Sequence, residues 1–396
     1  MPRNSCILSI LSCASIAYLP PAHAQLNSEA SDRLWQSFTS SYQQVSLLPL
    51  EPLVLDEKAR AVLITTAGPK FQAWKADAQP TFLALLEAVN TQDPTTSKFD
   101  RIEKTLETLL PQVDPYGRYR TASEIAQWLE VKRGNPGTVH LTVVPAPDGR
   151  IFCYPLEGGP AEVAGINPGA VLLAIDGRAA EGKSLFSLGL AFAGPPHTPI
   201  SLKIRQPQGK TEEFTMSRTD IPLPNVTVSQ SPLGITLIIR AFDGGSAQAV
   251  KGQMETYPEP RRLTIDLRGN SGGYRDEALK IASLFFPEAT HLGNYTDKTG
   301  IHAFNDGNGI SINPAAIQIL QDGRTASAAE FLIAALKEGF PEKVTLFGEK
   351  TYGKSHSLKP VFLEGGGELT VTEALLSTAS GHSWDKSGIP ADSGKN

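Results

Sequence analysis

The sequence predicts a multidomain α/β protein, and changes in its hydrophobic pattern along the chain indicate this fold class. Apolar residues recur at helical spacing over residues 25–130, alternate as in half-buried strands over 131–207, and mark strands that alternate with helices over 208–396. A chain of 396 residues with 40% hydrophobic content is long enough for two or three globular domains. We therefore expect an N-terminal helical region, a small β-rich domain and an α/β core.

The N-terminal stretch, residues 1–24, has the pattern of a secretory signal peptide. Arg3 supplies a positive charge, residues 7–19 are mostly apolar, and Ala-His-Ala at 22–24 has the small-x-small form of a cleavage site. This predicts an exported protein, periplasmic or extracellular. A buried N-terminal helix is the alternative, and a lipid anchor at Cys13 is a weaker one because its apolar run is very short. No other stretch approaches the roughly 20 apolar residues that span a bilayer.

Charge and cysteine content argue against several functional classes. The formal net charge of -5 gives no basic surface for binding nucleic acid. Cys6 and Cys13 lie in the predicted signal peptide, so the mature chain keeps only Cys153 and cannot form an internal disulfide. Cys153 lies in a predicted strand, which indicates a buried structural thiol. None of the 7 histidines pairs with another at metal-ligand spacing, so we expect neither a metal nor a cofactor.

Strand patterns and turn residues predict a small β domain over residues 131–207. Apolar side chains alternate with polar ones over residues 139–143, which predicts a half-buried strand. A short helix at 160–164 ends at a glycine. Asp176-Gly177 follows a buried strand and predicts a hairpin turn.

A glycine-rich loop follows a predicted buried strand of the α/β core. The strand at 263–267 leads into Arg-Gly-Asn-Ser-Gly-Gly at 268–273 and then into a helix. Glycines allow sharp turns and present N–H groups that can stabilise an oxyanion. A phosphate-binding loop is disfavoured because the Gly-Lys-Ser/Thr ending is absent. A glycine-rich connection without chemistry stays open at this point.

A serine stands at the start of a predicted helix, in Thr-Ala-Ser-Ala-Ala-Glu at residues 325–330. A nucleophile at this position lies near free N–H groups and the positive end of the helix dipole. In isolation, capping of the helix by Ser327 or Thr325 is the simpler interpretation.

A lysine ends the third motif, Gly-Glu-Lys-Thr-Tyr-Gly-Lys at residues 348–354. A lysine acts as a general base only when it is neutral, and burial disfavours the charged form. Buried lysines activate serine in Ser-Lys enzymes. A solvated surface charge is the alternative for Lys354, and a serine–histidine pair that uses His356 is another.

Together and in this order, the three motifs resemble those of the carboxyl-terminal processing, or tail-specific, serine proteases. The resemblance implies a protease core of that type, with Ser327 as the nucleophile and Lys354 as its general base. It also implies an oxyanion hole formed by the N–H of Ala328 and the N–H of Gly272 or Gly273.

Residues 131–207 resemble the PDZ domain that these proteases contain. The resemblance implies that Gly137-Thr138-Val139 is the loop that binds the substrate carboxylate. Because Val139 stands where the family has a second glycine, we expect its side chain to crowd the loop. The implied partners are protein or peptide substrates with apolar C-terminal tails, and a homo-oligomer stays open. A β-rich spacer domain is the alternative.

One residue near the predicted base departs from the family pattern. Family members carry a glutamine four residues after the catalytic lysine and hydrogen-bonded to it. In this sequence that position is Leu358. The sequence thus predicts an exported serine endopeptidase that cleaves polypeptides near their C-terminal tails by a Ser-Lys mechanism. A catalytically impaired tail-binding PDZ protein and an esterase-like hydrolase with the same dyad are the alternatives.

Overall fold

The structure, a computed structural model, describes residues 28–392 except 49, 134–135, 147, 222–223, 306–308, 310 and 365. The predicted signal peptide lies outside these residues. The described chain forms two compact units. The first contains residues 28–220 and 358–373, and the second contains residues 221–357 and 374–392. Within the described residues, no helix is both long and apolar enough to cross a lipid bilayer.

The N-terminal part of the first unit is helical, as the sequence predicts. Its elements are α1 (Ser28–Val45), α2 (Pro52–Thr66), α3 (Phe82–Gln92), α4 (Lys98–Val113), β1 (Arg118–Arg120) and α5 (Ala122–Arg133). Thr81 and Ser97 cap α3 and α4 by accepting backbone N–H bonds. The apolar faces of α1 to α4 form one hydrophobic cluster, in which Phe38, Phe82 and Leu106 are fully buried.

A six-stranded sheet follows in the same unit. Its elements are β2 (Leu141–Pro145), β3 (Ile151–Pro155), α6 (Pro160–Val163), β4 (Ala170–Ile175), β5 (Arg178–Ala179), α7 (Leu185–Phe192), β6 (Pro199–Arg205) and β7 (Thr211–Ser217). The strand order is β2-β3-β4-β6-β7, with β5 paired to β4. The strand β7 lies beyond residue 207 but pairs with β6 along its whole length, so the sheet extends to Ser217.

Two local predictions in this sheet have different outcomes. Asp176 and Gly177 both have positive φ, 47° and 74°, which is the hairpin turn predicted between β4 and β5. The strand predicted from residue 139 instead begins at Leu141. His140 has a φ of 51°, outside the extended region, and therefore interrupts the strand.

The second unit is an α/β core built on a mostly parallel sheet. Its elements are β8 (Val226–Ser231), β9 (Gly234–Ile239), α8 (Ser246–Met254), β10 (Leu263–Asp266), α9 (Arg275–Ser283), β11 (Gly293–Asp297), β12 (Gly300–Phe304), β13 (Ile317–Gln321), α10 (Ala328–Gly339) and β14 (Val344–Gly348). The strand order is β14-β13-β10-β9-β8, and only β8 is antiparallel to its neighbour. Buried residues of the sheet and of α8 to α10 form one hydrophobic cluster.

The last two strands are β15 (His356–Phe362) and β16 (Glu368–Ser377). In the first unit, β1 pairs antiparallel with residues 368–370, and Arg120 forms a buried ion pair with Glu368. In the second unit, β11 pairs antiparallel with residues 375–377 and with β12.

Candidate active site

The three chemical motifs all follow parallel strands of the α/β core. The glycine loop (residues 267–274) follows β10, the nucleophile turn (residues 322–327) follows β13, and the base loop (residues 349–355) follows β14. The carboxyl ends of neighbouring parallel strands meet at one edge of a sheet, where ligands bind in α/β proteins. The strand order therefore brings the three motifs together.

Ser327 stands directly before α10 in a strained backbone conformation. Its φ is 57°, in a region that serine rarely adopts. Its side chain is half-buried, whereas Thr325 is fully buried. The Thr325 hydroxyl donates to the Leu267 carbonyl at 2.8 Å and accepts from the N–H of Asp322 at 3.0 Å. Thr325 thus joins two loops, and Ser327 is the hydroxyl that a ligand can reach.

Glu330 connects the nucleophile turn to the base loop. This carboxylate is completely buried in the first turn of α10. One of its oxygens accepts from the Thr351 hydroxyl at 2.6 Å and the N–H of Gly353 at 2.7 Å. The other accepts from the N–H groups of Ser327 and Lys354, both at 2.8 Å. Burial raises the pKa of Glu330, although these four hydrogen bonds act in the opposite direction.

The shared carboxylate oxygen limits the distance between the two predicted catalytic residues. Since the backbone nitrogens of Ser327 and Lys354 each lie 2.8 Å from it, they are at most about 6 Å apart. Lys354 is only 4% exposed, so it is not the solvated surface lysine of the alternative interpretation. Two residues that are 27 positions apart in sequence are neighbours in the core.

Gly272 lies against the nucleophile turn. A Cβ atom at this position would lie 2.8 Å from the Cβ of Ser327 and 3.0 Å from the nitrogen of Ala328, and its φ is +102°. Only glycine combines this backbone conformation with so close an approach. However, the N–H of Gly272 already donates to the side-chain oxygen of Asn270 at 2.8 Å.

Gly273 and Ala328 have the N–H groups that remain for an oxyanion. The Cα of Gly273 packs against Phe242, where a Cβ would lie 2.4 Å from a carbonyl oxygen. Within the described part of the chain, its N–H and that of Ala328 have no acceptor. Of the two glycines that the motif offers, Gly273 is therefore the one with an available donor, and Gly272 provides the close approach.

The residues after the predicted base are not all directed to it. His356 begins β15 and is largely buried, with Nδ1 3.0 Å from a carboxylate oxygen of Asp385. A serine–histidine mechanism would therefore have only Nε2 of this ring to use. Leu358 is partly buried in β15 and has no hydrogen-bonding side chain.

In the first unit, the predicted carboxylate loop differs from the expectation. The N–H groups of Gly137 and Thr138 donate to the carbonyls of Gly194 and Thr219, at 2.8 and 2.9 Å. They form short β-bridges and are not available to a carboxylate. Val139 is fully buried in the hydrophobic cluster of the six-stranded sheet. Its side chain therefore points into the core, whereas we expected it to crowd the loop.

The sequence raised two other kinds of chemistry, a metal site and a reactive thiol. Among the residues that the structure describes, no group of three or more His, Cys, Asp or Glu side chains could hold a metal ion. Burial raises the pKa of Cys153 to about 12, as expected for a structural thiol.

Comparison with known proteins gives the class to which this fold and site belong. Residues 236–394, which include all three motifs, match the model of Peptidase family S41. These residues therefore form a family S41 peptidase domain, and the resemblance drawn from the three motifs is confirmed for this part of the chain.

Its curated relatives include carboxyl-terminal processing proteases. The chain is 33% identical over 248 residues to the carboxyl-terminal-processing protease of Synechocystis sp., which covers 60% of this chain and 57% of that protein. It is 27% identical over 325 residues to carboxyl-terminal-processing peptidase 2, chloroplastic, of Arabidopsis thaliana, covering 77% and 61%. The chain thus spans less than two thirds of the length of these relatives.

A solved structure supports the fold over nearly the whole chain. It is that of a photosystem II D1 C-terminal processing protease, which has a TM-score of 0.65 and 20% identity and covers 93% of this chain and 94% of its own. At this identity the likeness concerns the fold alone, a mixed α/β structure with a helical N-terminal region.

Sequence reasoning predicted Ser327 and Lys354 as the reacting residues but missed the residues that bind their main chain. Glu330 was noted only as part of the motif, although a serine followed three residues later by glutamate is the pattern of a capping box. Asn270 donates to the Ile239 carbonyl and accepts from the N–H of Gly272, whereas the sequence showed it only as one position of the glycine-loop motif.

Proposed function

We propose that this chain is an exported serine endopeptidase that cleaves polypeptides near their C-terminal tails, with Ser327 as nucleophile and Lys354 as general base. The observation that carries the proposal is the Glu330 carboxylate, one oxygen of which binds the backbone N–H of both residues. A half-buried serine beside a buried lysine is the arrangement that Ser-Lys catalysis requires.

The proposed mechanism gives each of these groups one role. Neutral Lys354 takes the proton of the Ser327 hydroxyl while the serine oxygen attacks the scissile carbonyl. The N–H groups of Ala328 and Gly273 stabilise the oxyanion, aided by the positive end of α10. The amine leaves with a proton from Lys354, and water then hydrolyses the acyl-enzyme.

Substrate tails bind to the six-stranded sheet, which we propose is a PDZ-like domain. Its strand β2 lies at the sheet edge, and α7 contacts that strand. An extended peptide can add to such an edge as a further strand. Because the N–H groups of Gly137 and Thr138 are already bonded, recognition relies on the apolar side chains of the tail more than on its carboxylate.

Export follows from the N-terminal pattern, which lies outside the described residues. We propose that the mature protein begins at Gln25. N-terminal sequencing of the secreted protein tests this, and a start at Cys13 with a lipid would contradict it.

The function is tested by incubating the protein with an unstructured, apolar-tailed substrate and identifying products by mass spectrometry. Ser327→Ala and Lys354→Ala should both eliminate cleavage while the fold is retained. Thr325→Ala tests whether the nucleophile has been assigned to the right position of the motif. We expect this variant to be less stable than the wild type, whereas its turnover per folded molecule should be retained. Full activity of Lys354→Ala would refute the Ser-Lys mechanism.

A catalytically impaired tail-binding protein is the second candidate, and the absence of a hydrogen-bonding side chain at Leu358 favours it. The comparison of wild type with Leu358→Gln separates the two candidates. If the wild type is active, this substitution should raise kcat/KM or leave it unchanged. A wild type without turnover that gains activity with Leu358→Gln would identify an impaired relative.

A further inference from the structure

A segment near the end of the described chain holds the base loop. The main chain of this closing segment (residues 384–389) makes two hydrogen bonds with the main chain of the base loop and one with a side chain of that loop. The N–H of Lys386 donates to the carbonyl of Gly353 at 2.8 Å. The carbonyl of Ile389 accepts from the N–H of Thr351 at 3.1 Å, and the N–H of Ile389 donates to the Thr351 hydroxyl at 2.7 Å.

The peptide group that follows the predicted base is bound at both ends by adjacent side chains. The indole N–H of Trp384 donates to the carbonyl of Lys354 at 3.2 Å. The N–H of Ser355 lies 3.5 Å from a carboxylate oxygen of Asp385, and the same oxygen lies 3.0 Å from Nδ1 of His356. Burial would raise the pKa of Asp385, but the interaction with His356, the N–H of Ser355 and the charge of Lys386 together hold it below its ordinary value.

The opposite side of the base loop is bound by Glu330. Its carboxylate accepts from the N–H groups of Gly353 and Lys354, and the carbonyl of Ser355 accepts from the N–H of Leu376 at 2.9 Å. The main chain at the base thus has a fixed partner on its N–H and on its C=O. A lysine side chain is long and flexible, so a fixed main chain limits the region that its amine can reach.

We propose that Trp384, assisted by Asp385, is the positioning residue of the general base, and that it acts by fixing the carbonyl of Lys354. This inference rests on the proposed function. Neither residue is assigned a contact with substrate. Their contribution is geometric, because a general base must lie within hydrogen-bond reach of the proton it removes.

The large buried ring of Trp384 also belongs to the hydrophobic core, so its two contributions must be separated. The side chain is 2% exposed and packs within the cluster of the α/β core. Removal of the ring would lower stability regardless of any effect on Lys354. The informative change removes the indole N–H and keeps the ring.

That change is the site-specific replacement of Trp384 by 3-benzothienylalanine, which keeps the bicyclic shape and has sulfur in place of the N–H. It is compared with Trp384→Phe, which removes the N–H together with part of the ring. The matched control is Ser387→Ala, which removes only a hydrogen bond within the closing segment. Three quantities are measured: kcat and KM on a tail-bearing peptide, the rate at which a fluorophosphonate labels Ser327, and the melting temperature.

We expect both Trp384 variants to lose about tenfold in kcat, the effect of one hydrogen bond on the barrier, with KM nearly unchanged. The labelling rate of Ser327 should fall by the same factor, and Ser387→Ala should match the wild type in both. A purely structural role would lower the melting temperature and leave kcat and the labelling rate of the folded protein unchanged, which overturns the inference. If the wild type shows neither turnover nor labelling, the proposed function and the inference both fall.

Discussion

The Glu330 carboxylate allows the sharpest test of how this site is held together. The structure gives it four donors, of which three are backbone N–H groups that cannot turn to other acceptors. Glu330→Ala leaves all four without this acceptor in the core. Each buried unsatisfied donor costs about 1–3 kcal/mol, but the base loop can relax and admit water, and losses above about 5 kcal/mol are exceptional. We expect a loss of about 3–5 kcal/mol in the free energy of unfolding.

Glu330→Gln separates the effect on the site from the effect on stability. Its amide oxygen can still accept from one pair of donors, while its NH2 group faces the other pair. At least one backbone N–H then loses its acceptor, which costs about 1–3 kcal/mol. If the NH2 group faces the N–H groups of Ser327 and Lys354, these residues are pushed away from the carboxamide. A displacement near 1 Å would reduce the rate by about a hundredfold. We therefore expect kcat/KM to fall about a hundredfold while the protein stays folded.

The assay combines urea unfolding with kcat/KM measured on a flexible peptide. Glu338→Gln is the matched control, because this carboxylate lies on the same helix but binds residues 378–380, including the backbone N–H and hydroxyl of Ser380, and not the three motifs. A Glu330→Gln protein with the kcat/KM of the wild type would refute the view that this carboxylate aligns nucleophile and base.

Three further predictions concern other parts of the molecule. Gly272→Ala should lower kcat/KM at least about a hundredfold, because its methyl group would contact Ser327. Gly245→Ala, at a similar φ but in open space, should lose only stability. Equal kcat/KM in the two variants would contradict this prediction. Burial raises the pKa of Glu103 from 4.5 to about 7, so unfolding releases a proton between these pH values and the free energy of unfolding should fall as pH rises through them. Glu103→Gln should reduce the difference in this free energy between pH 5 and pH 8, measured by urea unfolding. An unchanged difference would refute the assignment. Calorimetry should give nearly equal affinities for an apolar tail peptide and its amidated form, since the predicted carboxylate loop has no free N–H at its first two residues, and a strong preference for the free acid would contradict this.

Much of the local structure could be predicted from the sequence, because local patterns determine it. The strand predicted at 263–267 is observed as Leu263–Asp266, and the helix predicted to start in the motif at 325–330 is observed as Ala328–Gly339. The failure at His140 has a local cause that no pattern reveals. Its backbone adopts a positive φ, and the hydrophobic alternation over residues 139–143 does not report on φ.

The sequence by itself determined the peptidase resemblance of the α/β core and predicted which groups would react. The hydroxyl of Ser327, the amine of Lys354 and a glycine-rich loop stand in motifs whose order is specific to one family of peptidases. Side-chain chemistry and the strand–loop–helix context of each motif are local properties, so these residues could be identified without coordinates.

Only the tertiary structure decided how these groups are held and which of them are free to act. The hydrogen bonds that join Glu330 to Lys354, and Trp384 to the carbonyl of Lys354, connect positions 24 and 30 residues apart. Our proposal of Gly273 and not Gly272 as an oxyanion donor rests on the side chain of Asn270, which accepts from the N–H of Gly272. Such pairings depend on where parallel strands end and how loops pack across the sheet edge, and distance along the chain does not determine distance in space.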